Sequence, residues 1–245
     1  MCGIFGYITS DGHGPNIERL RRIALTTETR GGDAFGLAWI NNDGGRIHTF
    51  KAPGPARRHL GELDRCRHAV AIIGHCRLAT HGTWRDNRNN HPHVAGKGCL
   101  VHNGVIVNHA HLAHQHRLRT QTQCDSEILG LLMTHRRYGR IVHRAAWTVN
   151  QTFGDIAVLG LWRKPTRLLI VRRGKPLNFG QTSNGGLYLA SLPGNLPGEP
   201  KTFVNYTATV LAHRHSRTLL GSAILHTPTA DRLSGSLDDS FWGEP

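Results

Sequence analysis

Short apolar runs rich in Val, Ile and Leu alternate along the chain with breaks containing Gly, Asn, Asp and Pro, a spacing that predicts many strands and a few helices. Strands are expected near 2–8, 34–41, 46–51, 69–75, 98–102, 154–161, 167–172, 186–191 and 203–212. Between the second and third, Asn42-Asp43-Gly44-Gly45 reads as a hairpin turn, because Asp-Gly accepts the positive φ such turns demand. Helices are expected over 15–29, where Pro15 suits the first turn and Ile17, Leu20, Ile23 and Ala24 share a face, and over 125–137 and 140–150. Asp125 and Ser126 occupy the N-cap position of the second of these. Many strands with helices in groups predict an α+β architecture of sheets packed on helices, not a regular βαβ alternation. The chain has no internal repeat, no low-complexity tract and no interdomain linker. Its periodicity fades beyond residue 212, which divides it into 1–212 and a C-terminal extension over 213–245.

Composition narrows the classes. A chain of 245 residues that is 38% apolar and 19% charged can bury a core of its own and needs no disulfide or zinc staple. Its apolar runs fall far short of the roughly 20 residues that span a bilayer, and its first residues lack the basic lead and apolar core of a signal peptide. No membrane association and a cytoplasmic address are therefore expected. Five cysteines, odd in number and without a C-x-x-C pair, argue against a disulfide framework and a zinc ribbon. The net charge of +14 fits either an acidic partner, such as nucleic acid or a phosphorylated metabolite, or a merely basic surface. Charge alone does not choose.

Four clusters carry candidate chemistry. Cys2 follows the initiator Met, which is normally removed when the second residue is small. Its freed α-amine, with a pKa of about 7.7–8.0, could then take the proton of its own thiol. The competing reading is a small residue that happens to start a strand, and Gly3 and Gly6 weigh against it by letting backbone approach a substrate. In Gly74-His75-Cys76-Arg77-Leu78-Ala79-Thr80-His81-Gly82, an Arg at the end of an apolar strand suits bidentate grip of a carboxylate, with Thr80 and His81 adding polar contacts. In Val101-His102-Asn103-Gly104, the Asn103 amide and the Gly104 N–H suit an oxyanion hole, or the pair is a simple Asn-Gly turn. In Cys124-Asp125-Ser126-Glu127, Asp125 is either a helix cap or the partner of a cationic substrate group.

Together these segments resemble the glutaminase domain of the class II glutamine amidotransferases, which are N-terminal nucleophile hydrolases, and most closely that of glucosamine-6-phosphate synthase. The carrying motifs are MCGIFGYI at 1–8, RGGDAFGLA at 30–38, GHCRLATHG at 74–82, NHPHV at 90–94, VHNGVIVNH at 101–109 and TQCDSEIL at 122–129, with weaker matches in RRGKPLNFG at 172–180 and LYLAS at 187–191. The resemblance spans about 1–212 and implies a four-layer αββα sandwich of two antiparallel sheets. It also implies Cys2 as nucleophile with its own amine as base, and Asn103 and Gly104 as the oxyanion hole. Arg77 would take the glutamine carboxylate and Asp125 its ammonium, with Thr80 and His81 completing the pocket and Arg30 supporting the loop around the nucleophile. Gly32, Leu78 and Ser191 depart from the family pattern without removing a catalytic group.

The function expected on this basis is hydrolysis of L-glutamine through a Cys2 γ-glutamyl thioester, with ammonia delivered to a separate acceptor enzyme. The positive charge extends this to a nucleotide-like or nucleic-acid-associated acceptor. Two alternatives are a hydrolase of other γ-glutamyl amides or peptides and an inactive basic binding module. No cofactor and no metal are expected. His109, His111, His114 and His116 read as a polar, partly exposed helix, and His91-Pro92-His93 with His75 or His81 is set aside as a ligand set.

Overall fold

The computed structural model describes residues 1–226 apart from 44, 137 and 214, with backbone alone over 215–220. In chain order the elements are β1 (Gly3–Thr9), α1 (Ile17–Glu28), β2 (Ala34–Asn41), β3 (Ile47–Pro53), β4 (Ala69–Arg77), β5 (His93–Ala95), β6 (Gly98–Gly104), α2 (His109–Gln115), α3 (Glu127–His135), α4 (Ile141–Asn150), β7 (Ile156–Trp162), β8 (Arg167–Arg173), β9 (Asn178–Gln181), β10 (Gly186–Ala190), β11 (Lys201–Thr202), β12 (Thr207–Ala212) and β13 (His215–Ile224). Seven strands form one sheet in the order β11-β9-β10-β1-β4-β2-β3, and six form a second in the order β13-β12-β8-β7-β6-β5. All the pairings between these strands are antiparallel.

Strand alternation builds the four layers. Along β1, Ile4 and Ile8 face the second sheet, where Leu159, Leu161 and Ile170 meet them. Phe5 and Tyr7 point the other way, onto Leu20, Ile23 and Ala24 of α1. Along β7, Ala157 and Leu159 face the first sheet while Ile156 and Val158 face α3 and α4. Each large apolar side chain so buried contributes about 1.5–3 kcal/mol, which holds helix on sheet on sheet on helix. This is the αββα sandwich that the motifs imply. The helix α1 starts where Asn16 accepts a hydrogen bond from the Arg19 N–H at 2.9 Å.

Several local expectations are corrected. Gly3 and Gly6 are packing residues: a Cβ on Gly3 would lie 2.5 Å from Thr27 Cγ2, and one on Gly6 would lie 3.0 Å from Leu159 Cδ1. Pro15 precedes the Asn16 cap, and the strand expected from 203 begins at Thr207. Beyond it, β13 pairs with β12 and continues the second sheet. The hairpin between β2 and β3 forms with Ile40 opposite Ile47, while Gly44 at its turn lies outside the described residues. Residues 227–245 of the expected extension also lie outside them. Among the described residues no helix is long and apolar enough to cross a membrane.

Candidate active site

The start of β1 and the end of β4 meet at one rim of the first sheet, beside the end of β6 in the second. The register that sets Gly3 opposite Cys76 brings Cys2 against the first residues after β4. Cys2 Sγ accepts from the Leu78 N–H at 3.3 Å and lies 3.3 Å from the Leu78 carbonyl. Burial pushes the Cys2 thiol above its ordinary value, opposed by the Leu78 N–H, the chain's terminal ammonium and Arg77. Arg30 Nε donates to the Cys2 carbonyl at 2.9 Å and so fixes the backbone that presents the thiol.

Arg77 is 2% exposed. Its Nη1 donates to Asn90 Oδ1 at 2.8 Å, and its Nη2 donates to the carbonyls of His81 at 2.5 Å and Gly82 at 3.0 Å. These three contacts leave two of the five guanidinium N–H donors for a ligand. Asp125 is also buried; its Oδ2 accepts from the Ile106 N–H at 2.7 Å, and its Oδ1 lies 3.9 Å from His81 Nδ1. Asp125 is therefore not a helix cap. Ser126 occupies the N-cap of α3 without a capping hydrogen bond, and its Oγ instead meets His102 Nδ1 at 2.8 Å. The capping reading is set aside, and among the described residues Oδ1 faces only the Cys124 thiol at 3.8 Å and His81.

Asn103 is fully buried, and neither its amide nitrogen nor its amide oxygen has a hydrogen-bond partner. An unpaired buried amide costs about 1–3 kcal/mol. Gly104 follows at φ +150°, and a Cβ there would lie 2.3 Å from the Asp155 carbonyl. Only glycine fits there. Thr80 is exposed on the loop after β4, and His81 is partly exposed, its Nδ1 facing Asp125 without a hydrogen bond.

Three supporting residues were not singled out from the sequence, although each lies inside a motif. Asn90 holds Arg77. Asp33 Oδ2 accepts from the Ala79 N–H at 2.8 Å and pins the loop that faces Cys2. The buried Glu127 carboxylate accepts from the N–H groups of Gln121 and Thr122 and from Thr122 Oγ1, fixing the approach to Asp125. The histidines fall as expected on α2, where His111 and His114 are exposed and Leu112 alone is buried. All five cysteines are free.

Comparison with known proteins shows the family. Residues 59–222, more than half the chain, match the family described as "Glutamine amidotransferase domain". The glutamine–fructose-6-phosphate aminotransferase (isomerizing) of Aquifex aeolicus (strain VF5) is 31% identical over 212 residues, covering 83% of this chain and 35% of that protein. That of Gluconobacter oxydans (strain 621H) is 34% identical over 209 residues, covering 78% and 32%. The chain thus spans about a third of the length of these curated relatives. Among solved structures, a glutamine phosphoribosylpyrophosphate amidotransferase from B. subtilis superposes with a TM-score of 0.75 at 20% identity, covering 91% of this chain and 49% of that one. A glutamine aminotransferase class-II domain protein from Silicibacter pomeroyi gives 0.61 at 13% identity, covering 93% and 100%. The family match, the ordered motifs and the two-sheet sandwich together make this chain a member of the class II glutamine amidotransferases, enzymes of the N-terminal nucleophile hydrolase type.

Proposed function

We propose that this chain hydrolyses L-glutamine at Cys2 and passes the ammonia to an acceptor site on a partner domain or subunit. The observation that carries the reading is that a buried Arg77 with donors to spare and a buried Asp125 with no strong donor on Oδ1 both act on the Cys2 thiol, with an unpaired Asn103 amide at the end of β6. Glutamine is a zwitterion with a distal amide. Arg77 takes its carboxylate and Asp125, beside His81, takes its ammonium, which leaves the amide directed at Cys2. Thr80 closes the pocket from the exposed loop, and Arg30 holds the nucleophile's backbone.

Removal of Met1 frees the Cys2 amine, which accepts the thiol proton as sulfur attacks the amide carbon. The carbon–sulfur bond forms, and the carbonyl electron pair moves to oxygen, where Asn103 and the Gly104 N–H receive it. Return of that pair expels nitrogen, which leaves as ammonia with the proton held by the amine. Water then cleaves the thioester to glutamate and restores the thiol. An anionic, nucleotide-like acceptor for the ammonia is compatible with the +14 charge, which by itself does not single one out.

Ammonia release from glutamine tests the reading. The processed chain is expected to release it, while Cys2→Ala and a form with Met1 removal blocked by an added residue are expected not to. Activity retained in either variant refutes the mechanism.

A further inference from the structure

We propose that His91, His93 and Cys124 form a buried site for a zinc-class divalent cation that ties the segment behind Arg77 to the segment carrying Asp125. One ring nitrogen from each histidine and Cys124 Sγ all lie within 4.8 Å of one another. His91 is 3% exposed, His93 4% and Cys124 6%. Neither ring nitrogen of His91 has a hydrogen-bond partner, nor does Nε2 of His93. Buried nitrogens of this kind are normally paired, and a cation is a partner that satisfies two rings at once.

The donor set selects the ion. Two imidazoles and one thiol match the soft and borderline ligands of zinc, and a set of three protein ligands leaves its fourth position to water or a nearby carboxylate. Asp125 Oδ1 already lies 3.8 Å from Cys124 Sγ. Bonds of about 2.0–2.3 Å in a tetrahedron place ligand atoms roughly 3.5 Å apart, so binding draws the three together by about 1 Å. The sulfur–zinc bond forms as the Cys124 thiol proton passes to solvent, and no electron is transferred.

The two segments are already stitched together nearby. Asn89 Oδ1 accepts from the Gln123 N–H at 2.8 Å, and Asn90, next to His91, holds Arg77. A cation between 91–93 and 124 would therefore brace both ends of the carboxylate and ammonium pair. Sequence spacing hides the site, because its third ligand stands some thirty residues beyond the histidine pair.

The test uses the full chain, stripped of metal with a chelator and titrated with Co²⁺ and then Zn²⁺. Cobalt is expected to give a near-ultraviolet thiolate-to-cobalt band that saturates at one equivalent and disappears as zinc displaces it; zinc should also raise the Tm. Cys2→Ser should keep both effects, and Cys124→Ser should lose both. His93→Gln, which keeps the thiol, should weaken cobalt binding at least about tenfold. Absence of a stoichiometric band overturns the proposal, as does a band that survives Cys124→Ser or depends on Cys2, or unchanged affinity in His93→Gln. No arm reads glutamine hydrolysis, so failure here is separate from failure of the functional reading.

Discussion

Asn90 Oδ1 accepts a 2.8 Å hydrogen bond from Arg77 Nη1, and both side chains are buried. Asn90 is itself held by donating to the Trp84 carbonyl at 2.9 Å and to Asn87 Oδ1 at 3.1 Å. Asn90→Ala is expected to cost about 1–3 kcal/mol of stability, because it strands a charged donor. It should also raise KM for glutamine about 10- to 100-fold, the equivalent of one charge-assisted hydrogen bond, with a smaller effect on kcat. Asn90→Asp should keep an acceptor for Arg77 but lose the donations to Trp84 and Asn87, so it recovers stability only in part, and its carboxylate competes with that of the substrate, so affinity stays low. Denaturant unfolding and steady-state kinetics on the two variants check this.

Truncating Asn103, the proposed oxyanion donor, should produce the opposite kinetic pattern. Asn103 has no partner among the described residues, so Asn103→Ala removes an interaction made in the transition state and leaves the ground state nearly unchanged. The expected loss is about 10²–10³-fold in kcat with KM little altered. A rise in KM at constant kcat would assign Asn103 to substrate binding instead.

Burial holds the His102 ring near a pKa of about 4, with Asp125 opposing the shift. The unfolded ring titrates at about 6.5, so the unfolded chain takes up the proton first as pH falls. The stability due to His102 is therefore complete above about 6.5 and is lost as pH drops from there toward 4. Between pH 7 and pH 5 the parent chain should lose about 2 kcal/mol more than His102→Gln, which keeps a donor for Ser126. Urea unfolding at the two pH values measures the difference, and equal losses would contradict it.

Ser191 ties β10 to the strand that carries the nucleophile. Its Oγ accepts from the Ile4 N–H at 3.0 Å, and its own N–H donates to the Ile4 carbonyl at 2.8 Å. Ser191→Ala should lower stability by about 1–3 kcal/mol through the stranded Ile4 N–H. Since Ile4 stands two residues from Cys2, kcat should fall as well, and Ser191→Asp should recover stability more fully than Ser191→Ala.

The strands were legible where apolar alternation was strong. β2, β4, β6, β7 and β8 lie within two residues of their expected starts. The short β5, β9 and β11 carry too few residues to show a period, and β13 sits where the pattern had already faded. The residues of the candidate site were visible because catalysis needs particular groups: a thiol, a guanidinium, an amide and a carboxylate. Asn90, Asp33 and Glu127 were not, since their roles consist of contacts with loop segments that carry no periodicity: Asp33 reaches Ala79, Asn90 reaches Arg77, and Glu127 folds back on Gln121 and Thr122. The packing role of Gly3 was hidden for the same reason, since it is set by Thr27 of α1.

The central claim is that Cys2, freed of Met1, forms a covalent bond with glutamine. Intact-mass and peptide mass spectrometry on chain mixed with glutamine and quenched in acid tests it most directly. The account predicts a γ-glutamyl adduct confined to Cys2 of the processed chain, absent from the Met1-retaining form and from Cys2→Ser. Ammonia release with no adduct at Cys2 and with undiminished rate in Cys2→Ser would contradict it.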